Sequence, residues 1–423
     1  MDDMSLGGRS WEDACHSVLL RTDGVAVACG SNHLGQCNIP DLTEGVTYTH
    51  ADTGADHTVL LTSDGTAAVC GSNEHGECDI PPLPDGVIYT QVATAEWHTV
   101  LLRSDGTVVA CGWNIDGQCD IPVLPKGVVY EKVATGPQST VLVKSDGAVV
   151  ACGGNVRGQC NIPVLPAGVM YEQLAIGFNN IVLLMSDGNV VACGDNDDGQ
   201  CNIPALAEGV VYTHVAVGYE HTVLLKSDGA AVACGHNLDG QCIIPTLPSG
   251  VTYVQLAAAV DHTVLVKSDG TAVACGDNLY GQCNFPALAE GVTYTHVITN
   301  SFSIILLMSD GNAAVCGSVE GQYIMQALPR GVTYLHDAQH MVLTFNFCES
   351  HATFCLVSGT VVCRFEVDAM DTLINIREVF SSKMMTQKYS VVLPNGELLN
   401  AVCARAPLTT LEAFLGRKRM RGN

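Results

Sequence analysis

The sequence predicts an all-β propeller of seven or eight four-stranded blades, followed by a small α+β domain. Three observations indicate this fold: a repeat of constant length, short segments joined by turn residues, and segments that are apolar on both faces. A propeller accounts for all three, because each blade is a small sheet packed between two neighbouring sheets and has no face toward water.

The repeat is 41 residues long and occurs in eight copies. Its clearest marker is an Asp-Gly pair whose aspartates are Asp23, Asp64, Asp105, Asp146, Asp187, Asp228, Asp269 and Asp310. Two cysteine series keep the same interval, one from Cys29 to Cys316 and one from Cys37 to Cys283. Self-similarity at a fixed period of this size is typical of solenoids and propellers.

One copy, residues 209–245, reads GVVYTHVAVGYEHTVLLKSDGAAVACGHNLDGQCIIP and is interpreted as four short strands. GVVYTHV is the first strand and HTVLLK the second. The Asp-Gly hairpin after them is predicted to be a type I′ turn, because this dipeptide tolerates positive φ. AAVACG is the third strand, and an Asn-x-x-Gly turn leads to the fourth, QCIIP. The second and third strands lack polar alternation, which is typical of a sheet without a wet face.

This copy also resembles a known repeat. The pattern H-T-x-L-L-x-x-D-G-x-x-x-x-x-G-x-N-x-x-G-Q resembles the repeat of the regulator of chromosome condensation family, and it is carried here by His221, Thr222, Asp228, Gly229, Gly235, Asn237, Gly240 and Gln241. The resemblance covers residues 11–338. The copies are shorter than is usual for that family, and Cys replaces both its aromatic before the Gly and its Leu after Gly-Gln. The resemblance implies seven blades, whereas counting strands gives eight, and we favour eight.

The chain enters the first copy at its second strand, between Trp11 and His16, and leaves the eighth with a surplus first strand at residues 331–337. We expect this strand to pair into the first blade and close the ring, which removes an exposed sheet edge. Residues 1–10 are then an N-terminal tail, and residues 11–338 are the propeller.

Residues 339–415 are predicted to form the small α+β domain, and residues 416–423 a basic tail. The segment ATFCLVSGTVVCRFEV reads as a hairpin turning at Ser358-Gly359, residues 371–384 have helical apolar spacing, and YSVVLPNGELL reads as a second hairpin at Asn395-Gly396. The order β-β-α-β-β resembles the ubiquitin-like β-grasp. A generic α+β cap is the alternative.

Composition restricts the partners and the compartment. The formal net charge of −24 argues against nucleic acid and anionic membrane surfaces, because their phosphates would be repelled, and favours a basic protein partner. The N-terminal residues MDDMSLGGRSWED contain no apolar leader, and no stretch of eighteen apolar residues occurs. We therefore predict an intracellular protein, cytoplasmic or nuclear, and expect a monomer.

The twenty cysteines are interpreted as buried free thiols that act as small hydrophobic residues. Disulfides and zinc are the alternatives. Structural zinc sites usually show cysteine pairs two to four residues apart, whereas the two series here are eight residues apart. We predict no metal and no cofactor.

Catalytic patterns are not evident. The repeated histidines (His16, His57, His98, His221 and His262) give way to Ser139, Asn180 and Ser303 in other copies, which favours a structural role over a catalytic base or a metal ring. The acidic segment 195–199 lacks the ligand spacing of a calcium loop. We therefore expect no enzymatic activity.

The candidate site lies at the end of the blades opposite the Asp-Gly hairpins, where two connections per copy vary in sequence. Their acids and aromatics are Glu96, Trp97, Trp113, Asp116, Phe178, Asp195, Asp197, Asp198, Tyr219, Glu220, Asp239, Asp261, Asp277 and Tyr280. Aromatic anchors in an acidic field suit a basic protein segment, because charge raises the association rate and aromatics hold the complex. The alternative is that exposed loops simply drift, with acids retained for solubility.

These observations favour a non-catalytic protein-interaction scaffold that binds a basic segment. The family resemblance implies two alternatives: a guanine-nucleotide exchange factor for a small GTPase, and a substrate-recognition fragment or adaptor of a HERC-type ubiquitin ligase. The constant 41-residue spacing leaves no room for the inserted wedge of exchange-competent members. Residues 339–423 are too few for the catalytic domain of such a ligase.

Overall fold

The structure is a computed structural model that describes residues 16–166, 168–299, 304–317, 334–335, 343–348, 351–355, 361–366 and 391–392. The chain forms two compact units, residues 1–334 and residues 335–423. The regular secondary structure of the described residues is entirely β-strand. Among these residues, no helix is long and apolar enough to cross a membrane.

The first unit contains eight three-stranded sheets, which we number blades 1 to 8 in the order of their second strands. The second strands of blades 1 to 8 are His16–Arg21, His57–Thr62, His98–Arg103, Ser139–Lys144, Asn180–Met185, His221–Lys226, His262–Lys267 and Ile304–Met308. The third strands are Ala26–Gly30, Ala67–Gly71, Val108–Gly112, Val149–Gly153, Val190–Gly194, Ala231–Gly235, Ala272–Gly276 and Ala313–Cys316. The first strands of blades 2 to 8 are Tyr48–Thr53, Tyr89–Thr94, Tyr130–Gly136, Tyr171–Ile176, Tyr212–Val217, Tyr253–Ala258 and Tyr294–Thr299.

The ring closes as predicted. Tyr334–Leu335 joins the sheet of blade 1 beside His16–Arg21 and supplies its first strand. Leu19 and Tyr334 of blade 1 pack with Ile305 and Leu307 of blade 8 in one buried cluster. The fold is therefore an all-β propeller with eight blades, and the count of strands is confirmed over the seven blades that the resemblance implied.

The second strand of each blade provides the core on both sides of its sheet. In blade 3, Val100 and Leu102 pack against blade 4, whereas Leu101 packs against Val59 and Leu61 of blade 2. These side chains are almost completely buried. Alternation of side chains across a strand is the reason why these segments are apolar on both faces.

The Asp-Gly hairpin differs from the predicted type I′ turn. In blade 2, Gly65 N–H donates to Thr62 O over 2.9 Å, and Thr62 N–H donates to Thr66 O over 3.0 Å. The loop thus has three residues, of which Gly65 adopts a φ of +86°. The Asp64 carboxylate accepts the N–H of Thr66 and stabilises a type I turn followed by a left-handed glycine.

The predicted fourth strand is wrong: the described segments after the Asn-x-x-Gly turns do not form a strand. In blade 2, Asn73 Oδ1 accepts the N–H of Cys78, and Asn73 Nδ2 donates to Asp79, so the asparagine side chain holds the chain in a compact turn. After this turn, the chain contacts the first strand of blade 3, because the Tyr89 hydroxyl donates to the carbonyl of Pro81. Side-chain hydrogen bonds replace the strand ladder here, which explains why an asparagine recurs in these turns.

In the second unit, Val361–Glu366, His351–Cys355, Leu343–Cys348 and Val391–Val392 form one sheet in this order. His351–Cys355 pairs antiparallel with Val361–Glu366, as predicted for the first hairpin, whose turn at Ser358-Gly359 lies outside the described residues. Leu343–Cys348 is a strand that the sequence did not predict. The predicted helix at residues 371–384, the turn at Asn395-Gly396 and the basic tail lie outside the described residues, and the ubiquitin-like assignment stays a prediction.

Candidate functional site

We use the name loop face for the end of the propeller formed by two kinds of connection. Tip loops join the first and second strands of a blade, and Asn turns follow the third strand. The two are linked within each blade: Trp113 N–H of an Asn turn donates to Trp97 O of a tip loop over 2.8 Å, and Ser72 N–H donates to Asp56 O in the same way. The backbone therefore holds both connections at one end of the blade, as the antiparallel topology predicted.

The tip loops of different blades converge. Phe178 N–H of blade 5 lies 3.4 Å from Tyr219 O of blade 6, and Tyr219 N–H lies 3.3 Å from Val260 O of blade 7. Burial raises the pKa of Tyr219, and the carboxylates of Glu220, Glu96 and Asp261 raise it further. Glu96 belongs to blade 3, three blades away from Tyr219 along the chain.

The repeated histidines are structural, as predicted, in four blades. Each Nε2 lies close to the hydroxyl of a threonine in the next blade: His16 to Thr58, 2.7 Å; His57 to Thr99, 2.9 Å; His98 to Thr140, 3.1 Å; and His221 to Thr263, 2.9 Å. Burial lowers the pKa of each of these histidines to about 4. These imidazoles are therefore neutral at physiological pH and connect the blades. Within the part of the chain that the structure describes, no group of three or more His, Cys, Asp or Glu could hold a metal ion.

The fifteen cysteines from Cys29 to Cys316 are free thiols, and most are half-buried. Their S–H groups point at backbone carbonyls: Cys78 Sγ lies 3.0 Å from Ser72 O in its own turn, and Cys70 Sγ lies 3.4 Å from Gln36 O in the preceding blade. Burial raises the pKa of Cys78 to about 12 and that of Cys70 above its ordinary value. The cysteines act as small packing residues that also donate weak hydrogen bonds between blades.

The acids of blades 5 to 7 form one coupled group. Burial raises the pKa of Glu220, and Asp198, Asp195 and Asp261 raise it further. The pKa of Asp261 is raised by burial first and then by Asp239 and Asp277. Neighbouring carboxylates disfavour each other's ionisation, so these shifts show that the predicted acids lie within mutual reach.

The single arginine of the loop face already has partners. Arg157 Nη1 lies 2.6 Å from Asp197 Oδ2 and 3.6 Å from Asp195 Oδ1, which joins the Asn turn of blade 4 to that of blade 5. Both Arg157 and Asp197 are exposed. Arg157 therefore forms its ion pairs at one edge of the acidic group. Glu220 and Asp261 have no arginine or lysine partner in the described residues.

The predicted aromatics form two separate clusters. Phe178 and Tyr219 are stacked, with ring centroids 4.4 Å apart and planes 22° apart. Trp97 and Trp113 lie 6.0 Å apart, and the imidazole of His75 packs edge-on against both, at 6.0 Å from Trp97 and 4.6 Å from Trp113. The first cluster lies beside the acidic group, and the second occupies blades 2 and 3.

Two predicted residues belong to neither group. Asp116 is exposed, and its backbone N–H donates to Gln118 Oε1. Tyr280 N–H donates to Gln282 Oε1 in the same way. The structure thus places all the predicted site residues on one face and brings most of them together, whereas their role in binding a partner stays a prediction.

Two kinds of residue on this face were not predicted from the sequence. Four Asn turns present apolar side chains to solvent: Ile115, Val156, Leu238 and Leu279 are 76%, 95%, 87% and 86% exposed. They occupy one equivalent position, directly after the turn asparagine, and comparing that position among the copies would have found them. The other omission is His75, together with Glu77, which stands where the other described copies carry Gln.

Five copies of the repeat match the model of a known protein family. The family model of the regulator of chromosome condensation (RCC1) repeat matches residues 49–77, 89–118, 171–200, 212–241 and 253–282. Each match runs from the first strand of a blade to the Gln or Glu that ends its Asn turn. No match to a curated protein was found.

Similar solved structures cover parts of the chain. Prp20p from Saccharomyces cerevisiae, described with its binding to Gsp1p and histones, is 19% identical over 54% of this chain and 72% of its own, with a TM-score of 0.45. Human WBSCR16 is 20% identical over 57% of this chain and 81% of its own, with a TM-score of 0.45. The CRINKLY WD40 ectodomain of the Arabidopsis thaliana receptor kinase ACR4 is 18% identical over 60% of this chain and 88% of its own, with a TM-score of 0.43.

Five of the eight blades, blades 2, 3, 5, 6 and 7, therefore contain repeats of the regulator of chromosome condensation (RCC1) type.

Proposed function

We propose that this protein is a non-catalytic interaction scaffold whose loop face binds a basic segment of a partner protein. The observation that supports this most directly is the coupled acidic group of blades 5 to 7. The pKa values of Glu220 and Asp261 are raised by burial and by neighbouring carboxylates. A cationic partner would relieve this repulsion, which gives the face a physical reason to bind positive charge.

Apolar and aromatic side chains on the same face add the contacts that slow dissociation. The stacked pair Phe178 and Tyr219 lies beside the acidic group, and Leu238 and Leu279 protrude from the neighbouring Asn turns. Binding energy at protein interfaces is concentrated in aromatic and apolar anchors, while complementary charge sets the association rate and the specificity. A basic segment that also carries apolar residues fits this surface best.

The proposal can be tested with paired charge reversals in the full chain. The variant Glu220→Lys with Asp261→Lys changes the acidic group, and Glu208→Lys with Glu290→Lys is the matched control, because both control residues are exposed and lie outside the loop face. Binding of a lysine- and arginine-rich peptide is measured by fluorescence anisotropy, and thermal unfolding verifies the fold. We expect the first pair to weaken binding about tenfold or more, and the control pair to have little effect.

Equal weakening by both pairs would show that only net charge matters and would contradict a loop-face site. A nucleotide-release assay on a panel of small GTPases separates the scaffold from an exchange factor, since accelerated release would favour exchange. Affinity capture with mass spectrometry, comparing the wild-type chain with the Glu220→Lys, Asp261→Lys variant, would identify the partner.

A further inference from the structure

One position of the repeat departs from the others at the aromatic cluster of blades 2 and 3. The residue that ends each Asn turn is Glu77 in blade 2, and in the other described copies it is Gln36, Gln118, Gln159, Gln200, Gln241 and Gln282. All seven are buried, and Glu77 is only 1% exposed. The exchange therefore replaces a buried amide by a buried carboxyl group.

In three of the other copies, the glutamine (Gln36, Gln159 or Gln241) has two tasks. Its Oε1 accepts a backbone N–H of its own Asn turn, as from Asp239 to Gln241 over 3.1 Å. Its Nε2 donates to the tip loop of the next blade, as from Gln241 to Asp261 over 3.2 Å and from Gln159 to Asn179 over 3.2 Å. The amide thus connects the Asn turn of one blade to the tip loop of the following one.

Glu77 retains only the first task. One of its oxygens, Oε2, accepts the N–H of His75 over 2.8 Å. The tip-loop position that carries Asp261 or Asn179 in other blades is Trp97 here, so the donor and its acceptor have both been exchanged. Only Oε2 of Glu77 has a hydrogen-bond partner among the described residues, and Oε1 has none. A donor group of a bound partner can therefore form a hydrogen bond with Oε1 of Glu77.

The aromatic cluster of His75, Trp97 and Trp113 suits a planar cation. His75, Trp97 and Trp113 pack edge-on or tilted against one another with centroids 4.6 to 6.0 Å apart, so no space lies between the rings to enclose a bulky ammonium group. Their outer faces are partly open, because Trp97 and Trp113 are half-exposed and His75 is exposed. A guanidinium group stacks on such a face and donates to carboxylate oxygens at its edge.

A second carboxyl group belongs to the tip loop that carries Trp97. Glu96 directly precedes Trp97 in the tip loop, is half-buried, and has no hydrogen-bond or ion-pair partner within the described ranges. Burial raises the pKa of Glu96, which a bound cation would reverse. Acceptors at two positions match the several N–H groups of a guanidinium better than the single ammonium of lysine, and a trimethylated lysine has no N–H to donate.

We infer that Glu77, His75, Trp97 and Trp113, with Glu96 at the edge, form a subsite for one arginine side chain of the basic partner segment. The inference rests on the proposed function, because the arginine belongs to the segment that the loop face binds. It adds a chemical specificity that the acidic group alone does not have.

Four peptides that differ at one residue test this subsite on the full chain. A lysine-rich peptide carries arginine, lysine, trimethyllysine or citrulline at its central position, and binding is followed by calorimetry and by tryptophan fluorescence. We expect the arginine peptide to bind about tenfold more tightly than the lysine peptide, because stacking and paired hydrogen bonds are both available. The citrulline peptide, which has the shape without the charge, should be the weakest.

The variant Glu77→Gln removes the carboxyl group and introduces the residue that other copies carry, so the fold should be retained. It should abolish the preference for arginine over lysine, and Trp97→Leu should do the same. Phe178→Leu, in the other aromatic cluster, is the control and should retain the preference. Equal binding of the arginine and lysine peptides to the wild-type chain, or tighter binding of trimethyllysine, would overturn the subsite. Failure of all four peptides to bind would instead overturn the proposed function.

Discussion

The imidazole Nε2 of His57 in blade 2 lies 2.9 Å from the hydroxyl oxygen of Thr99 in blade 3. The same hydroxyl donates to the carbonyl of Glu77 over 2.8 Å. A hydroxyl has one proton, and a carbonyl can only accept, so that proton belongs to the bond with Glu77 O. His57 must therefore donate from Nε2, which identifies its neutral Nε2–H tautomer and links three chain segments through one buried hydroxyl.

This relationship predicts the effect of removing the hydroxyl. Thr99→Val retains the shape of the side chain and should lower the free energy of unfolding by about 1–3 kcal/mol, because it leaves the buried N–H of His57 without a partner and the carbonyl of Glu77 with only the weak bond from the Cys111 thiol. Chemical denaturation measures the loss. Thr90→Val is the control, since the Thr90 hydroxyl is only half-buried and makes a longer bond, 3.3 Å, to Leu102 O. An equal loss in both variants would contradict the role assigned to Thr99.

Acid should destabilise the propeller through its buried histidines. Burial lowers the pKa of His16, His57, His98, His221 and His262 from 6.5 to about 4. The unfolded chain binds protons more readily than the folded one, so the stabilisation is complete above pH 6.5 and is lost progressively down to about pH 4. The loss is on the order of 3 kcal/mol per histidine.

Urea denaturation across this pH range measures the slope. His57→Asn introduces the residue that blade 5 carries at the equivalent position, Asn180, and should make the slope shallower. Glu220 and Asp261 have raised pKa values in the folded state, so their protonation makes the folded protein more stable as the pH falls, opposite to the histidines. An unchanged slope in His57→Asn would show that other groups control the acid transition.

Much of this architecture could be predicted from the sequence, because the repeat displays the same strands and turns eight times. The prediction of a fourth strand was wrong because the side chains of Asn73 and its equivalents form hydrogen bonds that hold this segment in a turn. The apolar pattern of the sequence does not reveal such bonds. The sequence predicted Trp97 and Trp113 on the same face, and the structure adds that their rings lie 6.0 Å apart. Glu77 was overlooked because an exchange of Gln for Glu looks conservative. Its significance depends on a second exchange twenty residues later, where Trp97 replaces the hydrogen-bond acceptor of other copies.

The cysteines of the propeller should react slowly with thiol reagents. Burial raises the pKa of Cys119 and Cys201 to about 11, and that of Cys152 to about 12. Only the thiolate is nucleophilic, so at neutral pH its population falls by two or more orders of magnitude below that of an exposed cysteine. Alkylation of the native chain followed by peptide mass spectrometry should label these residues far more slowly than in denaturant. Rapid labelling of the native chain would contradict their assignment as structural thiols.

Removal of Arg157 should strengthen the attraction of a basic partner. Its guanidinium neutralises Asp197 and Asp195 at the edge of the acidic group, and it is an exposed ion pair of the kind that contributes little to stability. Arg157→Gln should leave thermal unfolding unchanged and increase the association rate of a basic peptide, more at low salt than at high salt, because the added negative field is screened by ions. Stopped-flow measurements at two salt concentrations test this, with Lys126→Gln as the matched control of equal charge, since Lys126 is exposed and lies outside the loop face. If both variants accelerate association equally, the effect comes from net charge and not from the aspartates that Arg157 covers.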